Sequence, residues 1–246
     1  MVIAFLPVSA QGQPQPDTSP APAPPPGGVQ GFEDPFSTGT GKDKPEKIQL
    51  ADPLEPWNRA VMTVNEYGFE YVAEPVARAY RDYTPSPVRE SFKRFFSNLY
   101  EPTYAVNSVL QGRWHDASVA SRRFLINSTF GGAGFFDPAG EHLDQVERDF
   151  DQTLGKWGIS PGFYLVWPLI GPSSPRGTVG YLVDETLDPL NYAGDLESVT
   201  VVSMHRIISE TSYSIGQFET LEKFSVDNYS AIKDYYEKQL YKKRHQ

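Results

Sequence analysis

Cysteine is absent from all 246 residues, which removes disulfides, thiol nucleophiles and Cys-ligated metals together. Histidine is scarce. His115, His142, His205 and His245 are scattered, with no H-E-x-x-H or comparable ligand spacing, so a dedicated metal site is not expected. Basic charge is short as well. With 22 Lys and Arg against 31 Asp and Glu, the net charge is −9, and no basic stripe is left to neutralise the phosphates of a nucleic acid. A terminal "KKRH" is the one basic run. It reads either as favourable charge at a helix C-terminus or as a weak contact to anionic lipid.

What is present divides the chain. Residues 1–10 begin with an apolar run and reach "VSA" at Val8–Ala10, similar to the small-residue site before a signal-peptide cut, and are expected to be the remnant of an export signal. Residues 11–50 open with "QGQPQPDTSPAPAPPPGGVQ" and stay rich in Gly, Pro and Lys. Such a stretch cannot bury enough apolar area to offset its ordering entropy, so a disordered linker is expected. Residues 51–246 are expected to form a single helical domain.

Within that domain the apolar spacing is helical. Leu54, Trp57, Val61 and Val64 share one face, and Val88, Phe92, Phe95, Phe96 and Leu99 make a second stripe with Arg89, Glu90, Lys93 and Arg94 opposite. Ser86-Pro87 reads as a helix start, Asp116 as the cap of a helix running to Phe130, and Asp227 as the start of a terminal helix. No run of alternating strand residues appears, and prolines cut the helices short. The fold class is all-α. Aromatic content of 13% means either a large aromatic core or rings at the headgroup depth of a membrane, and composition does not choose.

Three segments invite a functional reading. "GISPG", Gly158–Gly162, matches the nucleophile-elbow pattern, with Asp184, Asp188 or Asp195 and then His205 in hydrolase order. The residue after the serine must donate a backbone N–H to the oxyanion hole, and Pro161 has none; hydrolysis at Ser160 is rejected. The acid pairs Glu141/Asp144 and Asp149/Asp151 read as solvated loop charges. "TFGGAGFFDPAG", Thr129–Gly140, follows a helix rather than a strand, which removes a phosphate loop. It is either a tight helix-ending turn with an aromatic plug or a hinged hairpin facing lipid. The third stretch, Trp157 to Pro175, carries no charge until its end but holds four prolines. Crossing a bilayer takes about 20 continuous apolar helical residues, so this segment packs in a core or lies within protein at membrane depth without spanning.

Taken in order, "DPLEPWNR" (Asp52–Arg59), "EPVARAYRDYTPSPVRESF" (Glu74–Phe92), "NLYEPTYAVNSVLQG" (Asn98–Gly112), "RFLINSTFGGAGFFDPA" (Arg123–Ala139) and "DFDQTLGKWGISPGFYLVWPLIGPSSPRGTVG" (Asp149–Gly180) resemble the VacJ/MlaA family of outer-membrane lipoproteins. The resemblance covers about Asp52 to Gln239. It implies a ring of amphipathic helices on the periplasmic face of the outer membrane, around a polar channel that lets phospholipids that have strayed into the outer leaflet descend toward the periplasm. A trimeric porin would hold the ring, and a periplasmic lipid carrier protein would take the phospholipid onward, with no covalent catalysis and no cofactor.

The resemblance also implies site residues. Gly131, Gly132 and Gly134 would be hinges of a channel gate, Phe135 and Phe136 its gating rings, and Asp137 and Pro138 its base. Trp157, Phe163, Tyr164, Leu165, Val166, Trp167, Leu169 and Ile170 would be embedded in the membrane. The chain departs from the family pattern in lacking the lipobox cysteine, and in Asp151, Gly177 and Asn228, where glycine, aspartate and proline are common. A soluble periplasmic binding or scaffold module with a large aromatic core is the rival reading.

Overall fold

The computed structural model describes residues 48–224 and 227–245. The expected export-signal remnant at 1–10 and the linker up to residue 47 lie outside the described residues. Ile48 and Leu50, at the start of the described residues, pack on the core, and the Leu50 N–H donates to Glu237 Oε1 at 2.9 Å.

The described residues are mostly helical, in keeping with their periodicity. Helix α1 (Glu55–Gly68) passes through a π-helical stretch (Phe69–Ala73) into α2 (Glu74–Tyr83). Helix α3 (Ser86–Leu110) is followed by α4 (Trp114–Thr129), α5 (Phe150–Lys156), α6 (Pro175–Leu187), α7 (Leu196–Phe224) and α8 (Asn228–His245). Helix α3 packs along α4, α2 along α7, and α5 along α6. Among the described residues no helix is long and apolar enough to cross a membrane.

Several expected boundaries shift. Asp116 is not the cap of α4; Arg113 holds that position, and the Asp116 carboxylate inside the first turn binds Arg148 at 2.9 Å. Pro102 does not end a helix but sits inside α3, where its missing N–H leaves the Asn98 carbonyl without its usual helical donor. The uncharged stretch forms two short strands, β1 (Leu165–Trp167) and β2 (Gly171–Ser173), paired antiparallel with Val166 opposite Pro172. They form because Leu169 and Gly171 adopt positive φ, 64° and 93°, and turn the chain back on itself.

The hairpin is clamped by one helix. Asn58 and Asn65 lie seven residues apart on α1, hence on one face. Asn58 accepts from the Val166 N–H (2.9 Å) and donates to the Tyr164 carbonyl (3.1 Å). Asn65 accepts from the Leu169 N–H (2.8 Å) and donates to the Trp167 carbonyl (3.0 Å). Behind the hairpin, Tyr164 and Val166 join Leu50, Val61, Met62, Tyr229, Tyr236 and Leu240 in the apolar core.

The distribution of polarity is unusual for a water-soluble protein. Among the described residues, twenty buried side chains are polar or charged and seventeen are apolar, while 26 large hydrophobic side chains are exposed. Scattered exposed apolar residues need no explanation, but buried charge beside broad apolar surface does.

Candidate functional site

Part of the buried charge, Glu101 with Arg123, lies at the end of a polar cavity. On α3, Glu90, Arg94, Ser97, Asn98 and Glu101 follow each other at helical spacing, so one face of the helix is polar over more than two turns. They line a cavity of about 370 Å³, closed by Arg123 and Asn127 of α4, Asp137, Gln145 and Tyr213. Glu90, Lys93 and Arg94 are exposed, as their place opposite the apolar stripe requires, and they edge the cavity at its mouth.

Arg123 organises the interior end. It is 4% exposed, and its guanidinium donates to Glu101 Oε1 (2.8 Å), to both oxygens of Asp137 (3.1 and 3.0 Å) and to the Leu143 carbonyl (2.5 Å). Burial favours the neutral form of Arg123, but the hydrogen bonds to Glu101 and Asp137 outweigh it and raise its pKa. Burial dominates at Glu101 and pushes that carboxyl up to about 7, against the opposing pull of Arg123. Glu101 Oε2 and Asn98 Oδ1 have no hydrogen-bond donor.

The glycine turn is built onto this network. Asp137 accepts from Asn127 Nδ2 (2.8 Å) and from the Gly140 N–H (3.0 Å), while Asn127 Oδ1 takes the Ala139 N–H (3.1 Å). Gly132 and Gly134 have φ of 60° and 97°. A Cβ on Gly134 would meet the Asn98 side chain at 2.6 Å, so the turn presses directly against the cavity wall. Phe135 stacks on Phe95 with centroids 4.8 Å apart and meets Phe92 edge-on at 5.6 Å. Phe136 is exposed, and Pro138 opens a short 3-10 turn, Pro138–Glu141.

The membrane-segment candidates separate into two groups. Tyr164 and Val166 are fully buried, so these two side chains face the protein core rather than acyl chains; the asparagine clamp turns them inward. Phe163, Leu165, Leu169 and Ile170 are partly buried, and Trp157 and Trp167 are exposed. All four tryptophans are exposed, Trp57 by 54%, Trp114 by 70%, Trp157 by 53% and Trp167 by 37%. Two are also held by their indole N–H: Trp157 donates to the Leu110 carbonyl (3.2 Å) and Trp167 to Thr178 Oγ1 (2.9 Å). A ring with its polar edge fixed and its face outward is suited to an interface.

The hydrolase set does not assemble. Ser160 is exposed, and its Oγ accepts from the Gly162 N–H at 3.4 Å. His205 packs edge-on against Phe92, Phe96 and Tyr80. Asp184 accepts from Asn107 and the Phe150 N–H, and Asp188 binds Arg206. The acid pairs part in the same way. Glu141 and Asp144 are solvated, but Asp151 is buried against Arg176 (2.7 Å), and Asp149 caps α5 and binds Lys243 (2.5 Å).

Comparison with known proteins agrees with the geometry. The family model of the MlaA lipoprotein matches residues 50–243. The chain is 32% identical over 191 residues to the intermembrane phospholipid transport system lipoprotein MlaA of Escherichia coli K12, covering 76% of this chain and 75% of that protein. The protein of the same description from Haemophilus influenzae is 34% identical over 146 residues, 58% of each chain. A solved chain from work on the structural basis for maintenance of bacterial outer membrane lipid asymmetry superposes with a TM-score of 0.70 at 29% identity, over 79% of this chain and 99% of that one.

Proposed function

The chain belongs to the MlaA lipoprotein family, and from that premise we propose that it works in intermembrane phospholipid transport at the outer membrane. In this reading it takes phospholipids that have strayed into the outer leaflet and passes them inward to a periplasmic carrier, seated in the membrane beside a trimeric porin. The observation that carries the reading is the inverted polarity: among the described residues, 26 large apolar side chains face outward while the interior holds more polar than apolar buried residues. Acyl chains can solvate the exterior without cost, and a charged interior gives a headgroup a path that hydrocarbon denies it. The clamped hairpin and the exposed tryptophans fix the depth of the protein in one leaflet. No step of covalent chemistry is required. The glycine turn, set against the cavity wall, is the gate, with Gly132, where an added Cβ would meet only the Phe136 ring at 3.8 Å, as the hinge and Phe135 as the plug.

The test is made in cells lacking this protein. Phospholipid accessible to a membrane-impermeant amine label should rise, and the wild-type chain should bring it back down. Gly132→Ala, which fits sterically but restricts a left-handed backbone position, should restore it only in part at normal protein level. Unchanged surface phospholipid in the deletion strain would reject the transport reading. Full restoration by Gly132→Ala would reject the gate.

A further inference from the structure

Charge is not spread evenly through the cavity. At its exposed mouth Glu90 pairs with Arg94 (3.2 Å), while Lys93, lying 4.9 Å over the Tyr213 ring, adds a second cation. The mouth thus carries one excess positive charge. At the buried end a single guanidinium, Arg123, serves two carboxylates, Glu101 and Asp137. That end carries one excess negative charge when both are ionised, and Glu147 adds to the negative field at Glu101.

The buried end also has acceptors to spare. Glu101 is 1% exposed and Asn98 is 4% exposed, yet Glu101 Oε2 and Asn98 Oδ1 receive no hydrogen bond. Both line the cavity. Buried acceptors of this kind are rare because their desolvation is not recovered. Pro102, one residue beyond Glu101, removes the helical donor to the Asn98 carbonyl as well. What the pocket lacks is a cationic donor of several hydrogen bonds. Arg94 and Asn98 are about one helical turn apart, ~6 Å along α3, comparable to the reach of phosphoethanolamine from phosphate to nitrogen. The volume of about 370 Å³ falls in the range of pockets that take a small molecule.

Building on the phospholipid reading above, we propose that this cavity is a headgroup subsite for zwitterionic phospholipids with a primary ammonium. The ammonium donates to Glu101 Oε2 and Asn98 Oδ1, and the phosphate rests between Lys93 and Arg94. A quaternary ammonium has no N–H and cannot satisfy those acceptors; an uncharged glycerol headgroup leaves the excess negative charge unanswered.

The full chain, purified in detergent, is titrated with short-chain phosphatidylethanolamine, phosphatidylcholine and phosphatidylglycerol of equal acyl length, and with acyl-free glycerophosphoethanolamine. Charge-assisted hydrogen bonds to buried acceptors should favour phosphatidylethanolamine over phosphatidylcholine by about tenfold. Glu101→Gln places an amide N–H where the acceptor was and should abolish that preference. Lys93→Ala should weaken both lipids alike and leave their ratio intact. Equal binding of the three lipids by the wild-type chain would overturn the ammonium subsite while leaving the transport reading in place, and so would an unchanged preference in folded Glu101→Gln. Binding of glycerophosphoethanolamine as tight as that of the lipid would overturn the lipid as its source. Absence of binding by any phospholipid would count against the transport reading itself.

Discussion

The glycine turn at residues 130–137 and the hairpin at 165–173 are made of similar material and held in opposite ways. Both combine glycines, aromatic rings and left-handed backbone, at Gly132, Ala133 and Gly134 in one and at Leu169 and Gly171 in the other. The turn hangs from ions: Arg123, Glu101 and Asp137 form its support, and a charged cavity lies next to it. The hairpin is gripped directly by neutral amides, Asn58 and Asn65, and by the buried rings Tyr164, Tyr229 and Tyr236, with the ion pair of Asp52 and Lys233 standing behind Asn58 and Tyr229. An ionic support can exchange partners with a charged ligand. The amides that hold the hairpin backbone carry no charge to exchange. The difference separates a part that can respond from a part that stays fixed.

The harshest way to break that contrast is Arg123→Ala. It leaves Glu101 and Asp137 facing each other without a cation, and loss of one partner from a buried pair costs about 3–5 kcal/mol. Thermal unfolding in detergent should show the loss, and Asp137→Asn added to Arg123→Ala should recover part of it through coupling between the two sites. Additive effects would mean that the network is not one unit.

Asn58→Ala strikes the other support. It strips the Val166 N–H and the Tyr164 carbonyl of partners in a fully buried place, which should cost about 2–4 kcal/mol, from unmet hydrogen bonds of about 1–3 kcal/mol each. The folded fraction of this variant should bind phospholipid as the wild type does, while folded Arg123→Ala should not. Equal lipid loss in both would erase the distinction between the two regions.

The mildest probe is pH. Burial raises the Glu101 carboxyl from 4.5 to about 7, so between those values the folded protein holds a proton that the unfolded chain releases. The stability contributed by this group therefore falls as pH rises from about 4.5 to 7 and is level above that, the reverse of a carboxylate whose pKa is depressed. Asp184, raised from 3.8 to about 7 by burial, acts with the same sign. Native-state amide exchange, corrected for intrinsic rates, should show Gly134 and Phe136 losing protection over that window more than Tyr164 and Val166. Equal change at all four amides would place the titration elsewhere.

Much of the fold was legible in the sequence because helical spacing and punctuation are local signals. The start of α8 after Asp227, the end of α4 before the glycines and the failure of Ser160 as a nucleophile all follow from neighbouring residues. The charged cavity was not legible. Glu90, Lys93 and Arg94 opposite an apolar stripe read as a wetted face and are exposed, and only the packing of α3 on α4 sets them at the rim of a cavity. Arg123 and Glu101 stood inside motifs without any spacing that marks a pair 22 residues apart. The polar spacing of Glu90, Arg94, Ser97 and Glu101 along one helix was the available signal. The hairpin was missed because three-residue strands show no alternation, and its partner is a helix, not another strand. Composition also left the aromatic rings undecided, and the structure divides them: Phe96, Tyr164, Tyr229 and Tyr236 are buried, while all four tryptophans are exposed.

The asparagine clamp has one further effect. A pair of strands has two free borders, and each is a template on which another chain could add and begin to aggregate. Along β1 the amides of Asn58 and Asn65 occupy the groups an incoming strand would need. Along β2, Pro172 has no N–H to offer. One border is capped and the other blunted, so this strand pair gives a neighbouring copy no ready seam along which to polymerise.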